Sequence, residues 1–211
     1  MAAGLLLAGC AATESEDPNG RIVALPQTWD QIDIGEADLD LPLTSPFEIS
    51  ELRERVGAYQ LFENYYSFHG VNGFLVTSRV FLGHFAKNPT EEVRDAEDFL
   101  RFARGLPVVE GRGLRVGSAK SFKLPNLRSE GFYTKAISEQ RHEDCFIFRI
   151  GYLLVGYHAP EGDSMDTIVV GQLCGDDLDE AAVLDLLARV KVVKDRNQFR
   201  EALSRRKIGT I

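Results

Sequence analysis

"DCFIFRIGYLLVGYH", residues 144–158, and "TIVVGQLC", residues 167–174, decide the fold. Each is rich in aromatic and β-branched residues, so both read as buried strands. Between them "APEGDSMD", residues 159–166, supplies turn residues, which makes an antiparallel hairpin centred near residue 160 the expected connection. Upstream, "AYQLFENYYSFHG" (58–70) and "GFLVTSRVFLGHF" (73–85) flank "GVNG" (70–73), so a second hairpin is expected, turning near residue 72. "LRVGSAKSFKL" (114–124) and "GFYTKAISE" (131–139) read as further strands.

Helical signals lie around these strands. "SPFEISELRERVG" (45–57) predicts a first helix: Ser45 caps, Pro46 takes the first turn, Glu48 completes a capping box, and Ile49, Leu52 and Val56 point inward before Gly57. "NPTEE" opens a second, capped by Asn88, with Val93, Ala96, Phe99, Leu100 and Ala103 inward and Gly105 and Pro107 closing it. A third, capped by Asp177 and Glu180, buries Val183, Leu186, Leu187 and Val190; a fourth spans "RNQFREALSRR" (196–206). Consecutive strands with few crossovers imply an α+β fold, a mostly antiparallel sheet with helices packed on one face.

At the N-terminus, Leu7-Ala8-Gly9-Cys10 is an aliphatic residue, two small ones and a cysteine. It resembles the lipobox of bacterial lipoproteins. That resemblance implies a lipid on Cys10, removal of residues 1–9 as a truncated signal peptide, and attachment to a bacterial membrane facing the periplasm. "MAAG" lacks a positive n-region, so either the start lies upstream of Met1 or the signal is weak. By the sorting rule of such lipoproteins, known best from enteric bacteria, Ala11 in place of Asp implies the outer membrane. Two or more acyl chains hold durably, since each buried methylene contributes about 0.8 kcal/mol. "TESEDPNG" (13–20) is polar and aromatic-free, which predicts a flexible tether over 10–20 ahead of one periplasmic domain, 21–211. The remaining cysteines, Cys145 and Cys174, are then expected to form a disulfide in this oxidising compartment, ahead of the alternatives of free buried thiols or a catalytic one. The ending Gly171-x-x-Cys174-Gly175 before a capped helix is also similar to small uncharacterised secreted bacterial proteins, a likeness that carries no function.

The chain of 211 residues is 44% hydrophobic, with 13 Phe and 6 Tyr, enough for a sizeable core. A net charge of -8 argues against nucleic acid as a partner, because phosphate binding needs a concentrated basic surface. The basic run Ser204–Lys207 reads as a solvated end. No later stretch reaches the roughly 18 apolar residues of a membrane helix.

Chemistry-bearing motifs are missing: no nucleophile elbow, phosphate loop, dinucleotide fingerprint or zinc-protease pair. No cofactor is implied. Asp33, Glu36, Asp38 and Asp40 lack the spacing and glycine of a calcium loop and read as a solvated face. His69, His84, His142 and His158 are scattered, which leaves no metal set. The enzymatic alternative is a periplasmic enzyme using Cys145 with His142, or surface carboxylates; residues three apart on a strand face opposite ways, which weakens the pair. The leading expectation is a lipid-anchored binding or assembly module with an envelope protein as its partner. The aromatic run Tyr59, Phe62, Tyr65, Tyr66, Phe68 reads mainly as sheet core; any binding surface is expected around Trp29, Tyr59, Tyr65 and Tyr66.

Overall fold

The computed structural model describes residues 14–16, 22–24, 29–33, 39–40, 47–56, 61–80, 93–125, 127–137, 144–154, 165–176 and 178–192. Its strands are β1 (Glu14–Glu16), β2 (Ile22–Ala24), β3 (Asp30–Gln31), β4 (Leu39–Asp40), β5 (Ile49–Val56), β6 (Leu61–Phe68), β7 (Asn72–Val80), β8 (Arg115–Val116), β9 (Lys120–Phe122), β10 (Ser129–Ile137), β11 (Asp144–Tyr152), β12 (Thr167–Gly175) and β13 (Lys191–Val192). Helices α1 (Ala96–Arg104), α2 (Pro107–Arg112) and α3 (Glu180–Ala188) accompany them. One nine-stranded sheet runs β3-β5-β6-β7-β12-β11-β10-β8, with β9 also on β10, and every pairing is antiparallel. Two small two-stranded sheets, β1-β2 and β13-β4, stand apart from it.

The two expected hairpins form. β6 and β7 pair with Leu61 opposite Val80 and Tyr66 opposite Leu75, so the turn centres between Gly70 and Val71, slightly before the expected residue 72. β11 and β12 pair with Cys145 directly opposite Cys174. The two hairpins are joined through β7 and β12, so residues about a hundred positions apart in sequence become neighbours.

Two expectations fail. The segment read as the first helix is strand β5. Its Ile49, Leu52 and Val56 fit a helical stripe, but the alternation that matters is Leu52 and Glu54 turned to the buried side while Arg53 and Arg55 face out. Pairing with β6 from Ile49 to Val56, with a register shift between Ile49 and Glu51, supplies a backbone ladder, and that long-range gain outweighs a local capping signal. Ser45 and Pro46 lie outside the described residues. Second, the helices do not share one face. On β11, Cys145 and Ile147 join Phe99 and Ala103 of α1, whereas Phe146, Phe148, Ile150 and Tyr152 join Val183, Leu186 and Leu187 of α3. Alternate residues of a strand point to opposite faces, so α1–α2 and α3 sandwich the sheet. The result is dominated by its antiparallel sheet, with a few helices on both sides.

Glu14–Glu16, within the segment read as a tether, pairs with Ile22–Ala24, so part of that segment forms a hairpin arm. The described start of α1 is capped by Asp95, whose carboxylate accepts from the Glu97 and Asp98 amides; Asn88 lies outside the described residues. α3 is capped by Asp179, accepting from the Ala182 amide; Asp177 lies outside the described residues. The fourth helix, residues 196–206, falls outside them too.

α3 is fastened at both ends. Near its C-terminus the fully buried Tyr152 hydroxyl donates to the Leu187 carbonyl at 2.9 Å. At its N-terminus Glu180 accepts from Lys120 Nζ at 2.8 and 2.9 Å and from the Tyr133 hydroxyl at 2.8 Å. The Lys120 hydrogen bond, then that of Tyr133, hold the Glu180 carboxyl below its ordinary range. Burial, with Glu180 as acceptor, pushes Tyr133 up to about 12, so it remains a donor throughout the neutral range. A carboxyl depressed on folding stabilises above its unfolded value of about 4.3 and loses that contribution as pH falls through the folded value. The margin in melting temperature of the native protein over Glu180→Gln is therefore expected to shrink between about pH 6 and pH 3. A margin that stays constant or grows on acidification contradicts this fastening.

Candidate functional site

Over strands β5 to β7 the two faces of the sheet differ sharply. On the α3 side, Leu52, Tyr66, Phe68 and Leu75 are buried, and so are the polar Glu54, Asn64, Thr77 and Arg79. On the other side Glu51, Arg53, Arg55, Glu63, Tyr65, Ser67, Phe74, Val76 and Ser78 all keep part of their surface in solvent. The packing of α1 falls on β8, β10 and β11, at the far half of that outer face. Among the described residues, this half of the outer face thus carries mixed aromatic and charged side chains that are part-exposed, with Arg53 the most open to solvent.

Its centre is a row of rings. Trp29, just before β3, meets Tyr65 of β6 edge to face with centroids 5.9 Å apart. Tyr65 stacks on Phe74 of β7 at 6.0 Å. Such pairs contribute about 0.5–1.5 kcal/mol beyond the area they bury. The Arg55 guanidinium lies 4.3 Å over the Trp29 ring and also pairs with Glu63, whose second oxygen accepts from the Ser78 hydroxyl at 3.0 Å. Arg53 pairs with Glu51 at 2.6 Å. Burial, followed by the nearby Glu51 charge, raises Tyr65 above its ordinary value, so its hydroxyl is a neutral donor at physiological pH. Ser50 and Ser67 share a hydrogen bond at 2.9 Å at the end of the row. The half-sheet thus offers ring edges beside the Arg53 and Arg55 guanidiniums, and aromatic residues and arginine are the types enriched where proteins bind one another.

Of the residues singled out in sequence, Trp29 and Tyr65 come together here. Tyr66 does not: it points through the sheet into the α3-side core, fully buried. Tyr59 lies outside the described residues. Phe74, Arg55 and Arg53 were missed. Phe74 follows the hairpin turn, and its parity with Tyr65 depends on a register that no local motif specifies. Trp29 is brought to Tyr65 by the short pairing of β3 with β5.

The enzymatic candidates fare differently. Cys145 is bonded to Cys174, with Cα atoms 4.0 Å apart. That spacing lies nearer the roughly 4.5 Å of a non-hydrogen-bonded antiparallel pair than the roughly 5.5 Å of a hydrogen-bonded one. Both residues are fully buried, so Cys145 presents no thiolate to a substrate. His142, His84 and His158 lie outside the described residues, as does Cys10. His69 is exposed at the turn, and its backbone amide donates to the Glu48 carbonyl at 2.8 Å. Glu54 is a buried carboxylate, 4% exposed, accepting from Asn64 Nδ2 at 3.3 Å. It sits inside the sheet's packed face, where it holds β5 to β6. Among the described residues no three His, Cys, Asp or Glu side chains form a metal-holding group, and no helix is long and apolar enough to cross a membrane. Comparison of the chain with protein-family models and with curated proteins yields no match.

Proposed function

We propose that the protein is a lipid-anchored module of the bacterial envelope, held on the periplasmic side of the outer membrane through Cys10, and that it binds an envelope protein through the part-exposed half-sheet. The observation that carries the binding reading is the row Trp29–Tyr65–Phe74, whose rings stay part-exposed while the opposite side of the same strands is buried. Rings fixed by one another and by Arg55 lose little conformational freedom on contact, which favours association. The lipobox resemblance and the polar residues behind it support the anchor. The Cys145–Cys174 bond suits an oxidising compartment.

The test uses the full chain in cells. Cys10→Ser is expected to move the protein from the membrane fraction to the soluble one, with unchanged melting. Retention in membranes after a high-salt wash sinks the anchor. In formaldehyde-treated cells, Trp29→Ala is expected to remove the adduct of the native protein, while Glu97→Ala, on the exposed side of α1, keeps it. Because the Trp29 ring is only half-buried, its loss costs less than the roughly 3–5 kcal/mol of a buried aromatic, so the variant stays folded. An adduct that survives Trp29→Ala argues against this surface.

A further inference from the structure

The disulfide has a cover of its own. α1 and α2 are consecutive, and Phe99, Ala103, Leu106, Val109 and Leu114 close over Ala136, Ile147 and the bridge in a cluster distinct from the α3-side core. The sheet lies between the two clusters. Polar ties hold the cover at its margin: Arg149 of β11 donates to Asp98 at 2.8 Å while lying 4.4 Å over the Phe102 ring, and Arg94 donates to Glu130 at 2.9 Å. We infer that α1–α2 is a lid that lifts from the sheet as a unit, with the α3-side core still packed, and that this opening alone admits thiols to Cys145–Cys174.

Three features support the inference. Both sulfurs belong to residues with no solvent exposure, so exchange on the closed protein has no route. The lid is one continuous stretch, and cooperative opening units coincide with such supersecondary pieces. Lifting it uncovers one face of the sheet, leaving the strand ladders and the α3 contacts intact.

The exchange is balanced with dithiothreitol as the probe. One of its thiolates attacks a bridge sulfur, the S–S bond breaks to a mixed disulfide, and its second thiolate closes the ring. Two electrons pass to the protein, each cysteine sulfur takes a proton, and the reagent leaves as a cyclic disulfide. Formation is the reverse exchange with a disulfide-bearing oxidant.

The experiment follows reduction of the full-length protein in native buffer, by mass after alkylation of Cys145 and Cys174. Phe99→Ala, which removes a buried ring of the lid, is expected to speed reduction by about 100-fold. Leu186→Ala, which loosens the opposite core, is expected to leave the rate within about threefold. Should Phe99→Ala fail to fold, Asp98→Asn serves instead, with an acceleration of about threefold to tenfold from weakening the Arg149 tie. Equal acceleration by Leu186→Ala shows that the whole domain must unfold and overturns the lid. A rate unmoved by the lid variant, or a native bridge reduced as fast as an exposed one, overturns it as well.

Discussion

Gly73→Ala is expected to destabilise the protein by about 3–5 kcal/mol, one of the largest losses from any single methyl group added to this sheet. Gly73 is the second residue of β7, with φ at +151°, and a Cβ placed there would lie 1.9 Å from the backbone oxygen of Gln172 on β12. A side chain in the way can turn aside; a carbonyl committed to the sheet cannot. Relief requires β7 and β12 to separate where Gly73 faces Leu173, at the junction of the two hairpins. Gly70→Ala is the internal control. It also has positive φ, +73°, but nothing lies within 4 Å of its added Cβ, so it should cost only the roughly 1–2 kcal/mol of left-handed backbone. Denaturant midpoints of the two variants, compared at equal slope, check the difference. Equal losses would mean that the close approach of β7 to β12 is not what Gly73 serves.

The second large effect belongs to the bridge. Cys145→Ala with Cys174→Ala is expected to lower stability by about 3–4 kcal/mol, because the bond closes a loop between residues 29 apart in sequence. The two cysteines are register partners, so the native strands need no rearrangement to hold the bond. Urea unfolding of the oxidised protein should therefore show a midpoint well above that of the double variant. Full reduction, confirmed by mass, should bring the native protein down to about the same midpoint, and the double variant should ignore reductant. Coincident midpoints for oxidised and reduced native protein would contradict this contribution.

The hairpins and the bridge were legible because each rests on local evidence. Turn residues at 70–73 and 159–166 separate apolar strands, and a hairpin centred near residue 160 sets Cys145 opposite Cys174. The sandwiching of the sheet was missed, the helices being expected on one face, although in residues 145–152 apolar side chains follow one another with little alternation. Such a run signals a strand covered on both faces. Only Arg149 interrupts it, and Asp98 and Phe102 of α1 receive its guanidinium. Strand β5 was not legible. Its spacing of Ile49, Leu52 and Val56 suits a helix, and the partner that overrides it, β6, becomes visible only in three dimensions. The buried Glu54 added to the misreading, since a charged residue at a core position hides the strand alternation. Half of the candidate site was foreseeable. An aromatic-rich strand always presents some rings outward, but choosing Tyr65 over Tyr66 requires the register, and Trp29 enters from 36 positions away.

Site-specific photocrosslinking tests most directly the proposed contact of the half-sheet around Tyr65 with an envelope protein. A photoreactive phenylalanine analogue is placed at Tyr65 in one strain and at Glu97, on the exposed side of α1, in another, each in the full chain. Irradiated cells are expected to give a discrete adduct from position 65 that Trp29→Ala removes, and none from position 97. An adduct from position 97 with none from position 65, or equal adducts from both, would contradict the proposed contact.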